Sequence, residues 1–107
     1  MNRFIQNILE PIGVPVYFVT NLDDVDEYII FNVWSVPGLH ADDKETQTNY
    51  TVQIDIFTRG NFLLIADEVK NRMEDAGFMR ILEDPGDYIE EAKLFRKTFR
   101  FSYTTNN

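Results

Sequence analysis

Between Asn2 and Glu10 the apolar residues Phe4, Ile5, Ile8 and Leu9 recur at helical spacing and form one stripe. Asn2 is placed to cap this helix, and Pro11 followed by Gly13 ends it. The pattern then changes to alternation. Val14, Val16 and Phe18 alternate with Pro15, Tyr17 and Val19, and Pro15 confines that strand to a sheet edge or a strand start, because its nitrogen has no hydrogen to donate. An acidic connector, Asn21 to Glu27, leads to a second strand, Tyr28 to Trp34, that is apolar on both sides. Ile29, Phe31 and Val33 fall on one side of it; Tyr28, Ile30 and Trp34 fall on the other. The polar stretch Val36 to Thr48, with Pro37, Gly38 and the run Asp42, Asp43, Lys44, Glu45, predicts a protruding and mobile loop. Tyr50, Val52, Ile54 and Ile56 next alternate with Thr51, Gln53, Asp55 and Phe57, the pattern of a half-buried strand.

Arg59-Gly60-Asn61 breaks that strand and offers Asn61 as a helix cap. Phe62, Ile65, Ala66, Val69, Met73 and Ala76 then share a helical face, and Gly77 stands where a left-handed C-terminal residue belongs. Phe78 to Leu82 predicts a short strand, and Asp84-Pro85-Gly86-Asp87 predicts a turn. Tyr88 to Ala92 fits no single pattern. Leu94 to Tyr103 is a long last strand, with Phe95, Phe99, Phe101 and Tyr103 on one face and Arg96, Thr98, Arg100 and Ser102 on the other. Thr104 to Asn107 is expected to fray. The order α-β-β-β-α-β-β predicts an α+β domain over residues 1–107: a mostly antiparallel sheet of four to five strands with two helices packed on one face.

Composition narrows the chemistry. The 107 residues are 44% hydrophobic, which suits a single globular domain rather than a disordered chain. No apolar run is long enough to span a bilayer and no basic-then-apolar leader opens the chain, so a soluble, untargeted protein is expected. With no Cys, disulfides, thiolate catalysis and cysteine-bound metals are excluded, and a lone His excludes multi-histidine centres. The net charge of −8 argues against binding nucleic acid through its phosphates.

The remaining candidates for catalysis read as solvated surface. Asp23, Asp24, Asp26 and Glu27 supply carboxylates without an apolar pocket to set two of them apart. Asn21, Asp23 and Val25 break the alternation of a calcium loop, and no glycine follows. His40, with Ser35 or Ser102 as nucleophile, lacks any local triad signature. Asn49-Tyr50-Thr51 is a glycosylation sequon by chance, since it opens a strand. No catalytic, cofactor-binding or metal-ligating residue is assigned.

Two surface features point to association instead. Lys93, Arg96, Lys97 and Arg100 concentrate positive charge on the last strand, while Asp23 to Glu45 is acidic. An acidic rim on one subunit could meet a basic strand on the next; equally, the charges could pair within one molecule or guard a sheet edge against aggregation. Nine Phe, five Tyr and one Trp form a large aromatic load, and the Tyr28–Trp34 strand needs cover on the face that helices leave bare. A subunit interface is therefore expected at Arg96, Arg100, Lys97, Trp34 and Tyr28, with His40, Asp42, Asp43, Lys44 and Glu45 in a projecting loop. The competing expectation is a small ligand-binding α+β domain with its pocket beside Trp34 and Tyr28.

Taken in order, these elements resemble the tail completion, or tail terminator, proteins of tailed bacteriophages, also called tail-to-head joining proteins. The resemblance lies in a helix ending at Pro11, the strand Tyr28-Ile29-Ile30-Phe31 and an acid-centred polar loop. It continues through Val52-Gln53-Ile54-Asp55-Ile56-Phe57-Thr58, a helix ending in Ala76-Gly77-Phe78 and an arginine-bearing last strand, Phe95 to Phe101. The short acidic connector departs from that pattern. The resemblance implies a non-enzymatic virion protein without cofactors, a ring (commonly a hexamer) that ends the tail tube. Its partners would be copies of itself, the tail-tube protein and the head connector, with DNA only as passing cargo and no membrane. Leu39 to Thr48 would project toward a neighbouring ring or the lumen. Such a protein would reside in the virion after assembly in the bacterial cytoplasm.

Overall fold

The computed structural model describes residues 1–20, 25–41 and 44–106, with 36–41 and 44–46 described as backbone alone. The elements are α1 (Asn2–Leu9), a single 3₁₀ turn (Glu10–Ile12), β1 (Val16–Phe18), β2 (Glu27–Ala41), β3 (Lys44–Thr58), α2 (Leu63–Asp75), β4 (Met79–Glu83), β5 (Asp87–Ile89) and β6 (Leu94–Asn106). The fold is α+β with the element order expected from the sequence. Its sheet has six strands, the additional one being β5, in the stretch whose pattern is ambiguous. The order is β1-β2-β3-β6-β4, with β5 also paired to β6. Only β1 runs parallel to its neighbour, so the sheet is mixed.

The helix ends follow from the residues that flank them. Gly13 takes φ +94° after the 3₁₀ turn and closes the first helical segment. Met1, rather than Asn2, occupies the capping position of α1. Asn61 Oδ1 accepts a hydrogen bond from the Leu63 N–H at 2.9 Å, so its side chain shapes the entry to α2 although Phe62 is the capping residue. At the other end Gly77 (φ +99°) donates to the Glu74 carbonyl and Phe78 donates to the Met73 carbonyl, each at 3.0 Å. This pair of bonds satisfies carbonyls that the helix itself leaves open.

Two expectations are corrected. Val36 to Thr48 is not a loop: β2 and β3 continue as one long hairpin, paired from Glu27↔Thr58 out to Ala41↔Lys44. Pro37 and Gly38, which suggest a break, fall where the register shifts, so an irregularity in β2 accommodates them and pairing resumes beyond. Of the projecting group, His40 lies in β2 opposite Glu45, and Lys44 and Glu45 begin β3; Asp42 and Asp43 lie outside the described residues. Asp23 and Asp24 also lie outside them. The C-terminal Thr104 to Asn106 do not fray but extend β6, in register with Asn49, Thr48 and Gln47. Such long strands give the molecule extents of 52 × 25 × 24 Å.

The core lies on one side of the sheet. Ile29 and Phe31 of β2, Val52, Ile54 and Ile56 of β3, and Phe99 and Phe101 of β6 point toward α1 and α2, which contribute Ile5, Leu9, Ala66, Val69 and Met73. Burying each large side chain contributes roughly 1.5–3 kcal/mol, which makes the helix-covered face the main source of stability. No described helix is long and apolar enough to cross a membrane.

Candidate functional site

The second face of the sheet carries no layer among the described residues, and the strand registers define its rows. Tyr28 lies opposite Phe57, which lies opposite Arg96; the next rows are Ile30–Asp55–Thr98, Asn32–Gln53–Arg100 and Trp34–Thr51–Ser102. One end of this face is aromatic, with Tyr28 stacked on Phe57 at 4.8 Å and edge-on to Tyr17 at 6.1 Å. Its middle is a polar chain. Thr98 Oγ1 donates to Asp55 Oδ1 at 2.5 Å, Gln53 Nε2 donates to Asp55 Oδ2 at 3.2 Å, and Arg100 Nε donates to Gln53 Oε1 at 2.9 Å. These bonds link Asp55, Thr98, Gln53 and Arg100 into one chain across β3 and β6.

Arg96 and Arg100 share this face but differ electrostatically. Arg96 grips Asp87 through Nε at 3.2 Å and Nη2 at 3.0 Å, a paired fork with little field left over. Arg100 has no carboxylate partner among the described residues; its guanidinium lies 5.6 Å from the centre of the Trp34 ring. Trp34 is 42% exposed. Toward the β4 edge, Leu82 lies opposite Arg100 and Met79 opposite Ser102, both exposed. This face thus sets exposed Trp34, Leu82 and Met79 beside Arg100.

Lys97 corrects the expected interface set. It projects to the helix side and is 6% exposed. Its Nζ pairs with Glu83 Oε2 at 3.0 Å, donates to the Asp84 carbonyl and lies 5.5 Å and 5.9 Å from the Phe99 and Phe62 ring centres. It is enclosed within its own subunit because the alternation of β6 puts it in line with Phe99 and Phe101. The hydrogen bond from Lys97 holds the Glu83 carboxyl below the usual carboxylate range, against a smaller opposing effect of desolvation. Tyr28, Trp34, Arg96 and Arg100 do share one face, Tyr28 half-buried within it.

The serines weighed with His40 fall on different rows. Ser35 is opposite Tyr50, Ser102 is in the Trp34 row, and His40 lies further out on the hairpin. A groove of about 440 Å³ does occur, but at the α1–β1 edge on the other side of the sheet, lined by Asn2, Arg3, Gln6, Asn7, Phe18 and Phe31 rather than by Trp34 and Tyr28. Pattern reading also passes over Leu63 and Leu64, the latter 80% exposed at the start of α2. Their signal is available: both stand off the stripe formed by Phe62, Ile65, Ala66 and Val69.

No family model and no curated protein matches this chain. Among solved structures, a chain described as belonging to the virion of a native gene transfer agent particle has a similar fold, with a TM-score of 0.58 and 15% identity. The match covers 96% of this chain and 84% of that one. At such identity the likeness is one of fold, and it extends over nearly the whole chain.

Proposed function

We propose that this chain is a non-enzymatic structural protein of a phage-like virion that works by assembling with copies of itself and with other virion proteins. The observation that carries the reading is the one-sided sheet: helices cover one face, and the other presents Trp34, Arg100, Leu82 and Met79. The shared fold with a chain from a gene transfer agent virion supports placing that surface in a particle.

The finer reading is a ring, hexameric by the resemblance, that ends a tail tube and meets the head connector. Its mechanism is geometric. Subunits joined through two unlike patches form a closed ring when the rotation between them closes. The ring stops growth when one side matches the tube and the other does not accept more tube subunits. A net charge of −8 suits a passage for DNA, because like charge keeps the strand from adhering. A head-completion ring would use the same surfaces with a different partner.

Light scattering and electron microscopy of the purified protein over a range of concentrations test the reading. Rings of one subunit number, binding a tail-tube protein, are expected. Binding to the connector alone would move the protein to the head-completion station, and a monomer at every concentration would reject the assembly reading.

A further inference from the structure

We infer that the uncovered sheet face receives the exposed start of α2 from a second copy of this chain, so that successive subunits join sheet to helix. This rests on the assembly reading above and names the two surfaces involved. The helix patch consists of Leu63 and Leu64, 58% and 80% exposed, with Asp67 one turn further on. Positions three and four apart on a helix are neighbours, so both leucines lie beside the Asp67 carboxylate. Asp67 has no cation partner among the described residues, whereas the adjacent Glu68 is held by Arg72 at 3.4 Å.

The sheet patch has the opposite charge and the same apolar character. Trp34 and Leu82 flank Arg100, whose guanidinium has no carboxylate partner among the described residues. Each patch thus joins apolar surface to a charge with no ionic partner among the described residues, Arg100 on the sheet and Asp67 on the helix; Asp55 on the sheet face and Lys70 on α2 likewise have none. Joining them covers exposed leucine and tryptophan while giving each charge its counterion. Within one molecule they cannot meet, because α2 packs its Ala66, Val69 and Met73 stripe onto the covered side of the sheet and its outer surface points away from the open side. The contact is therefore heterologous, and repeating it builds a ring or a filament rather than a closed pair.

Charge reversal decides the matter, since Arg100 and Asp67 are both exposed and their replacement leaves the core intact. Arg100→Glu and Asp67→Lys are each expected to weaken self-association, followed by sedimentation velocity, by roughly tenfold or more. The double variant, and an equal mixture of the two single variants, should recover to within about threefold of the parent, since each restores opposite charges across every contact. If the parent assembles and either single variant assembles equally well, or if the double variant is no better than the weaker single, the contact is wrong while the assembly reading stands. That result would assign the sheet face to a different virion protein. If the parent never assembles, both fall together.

Discussion

Lys97 shows how a single charge can serve the fold rather than the surface. A buried ammonium needs counter-charge and hydrogen-bond acceptors to offset the loss of water, and Glu83, the Asp84 carbonyl and two aromatic rings supply them. The pair also pins β4 to β6. Glu83→Ala strands the cation and is expected to cost roughly 1–2 kcal/mol in denaturant unfolding, less than for a fully buried pair because the carboxylate is partly solvated. The pH dependence follows from the lowered carboxyl pKa. An unfolded glutamate titrates at about 4.3, so the Glu83 contribution is complete above that value and is lost as pH falls through the lower folded-state pKa. Unfolding followed from pH 7 into the acid range should therefore show a loss of stability below about 4.3 that is smaller in Glu83→Gln. The sequence shows Lys97 among aromatics but not its partner, because the pairing depends on a register shift between Arg80 and Leu82 that periodicity does not encode.

Elements defined by strong periodicity were legible: the α2 stripe, the alternation of Val52 to Ile56 and the Ala76-Gly77 stop each appear where the residues place them. Polar strands were not. In the hairpin, hydrogen bonding between backbones continues without a hydrophobic face to announce it, and Pro37-Gly38 imitates a break. The same reason hides the end of β6, where Thr104, Thr105 and Asn106 pair with Asn49, Thr48 and Gln47, supported by Thr104 Oγ1 to Asn49 Oδ1 at 2.6 Å and Gln47 Nε2 to Asn106 Oδ1 at 3.1 Å. Removing residues 104–107 should accelerate amide hydrogen exchange at Gln47 and Asn49 while leaving Ile54 and Ile56 protected. Equal exchange in the parent and the truncated chain would mean that the tail pairing contributes no protection.

At the scale of the whole molecule, α1 and α2 pack on one face, and this asymmetry was legible because β2 is apolar on both sides while the sequence shows two helical stripes to cover it. What the open face carries was half legible. Alternation places Arg96, Arg100, Trp34 and Tyr28 together, but the difference between Arg96, held by a carboxylate, and Arg100, held by Gln53 and the Trp34 ring, depends on Asp87, a residue of β5, which has no distinct pattern. The strand order has a consequence for synthesis. β6 is made after β3, β4 and β5, yet it sits inside the sheet, bonded to β3 on one flank and to β4 and β5 on the other. Until the ribosome delivers Leu94 to Asn106, the nascent chain holds β3 with a bare flank and β4 and β5 with nothing to pair to. A chain stopped at Lys93 is thus expected to sediment as aggregate to a greater extent than residues 1–107 do.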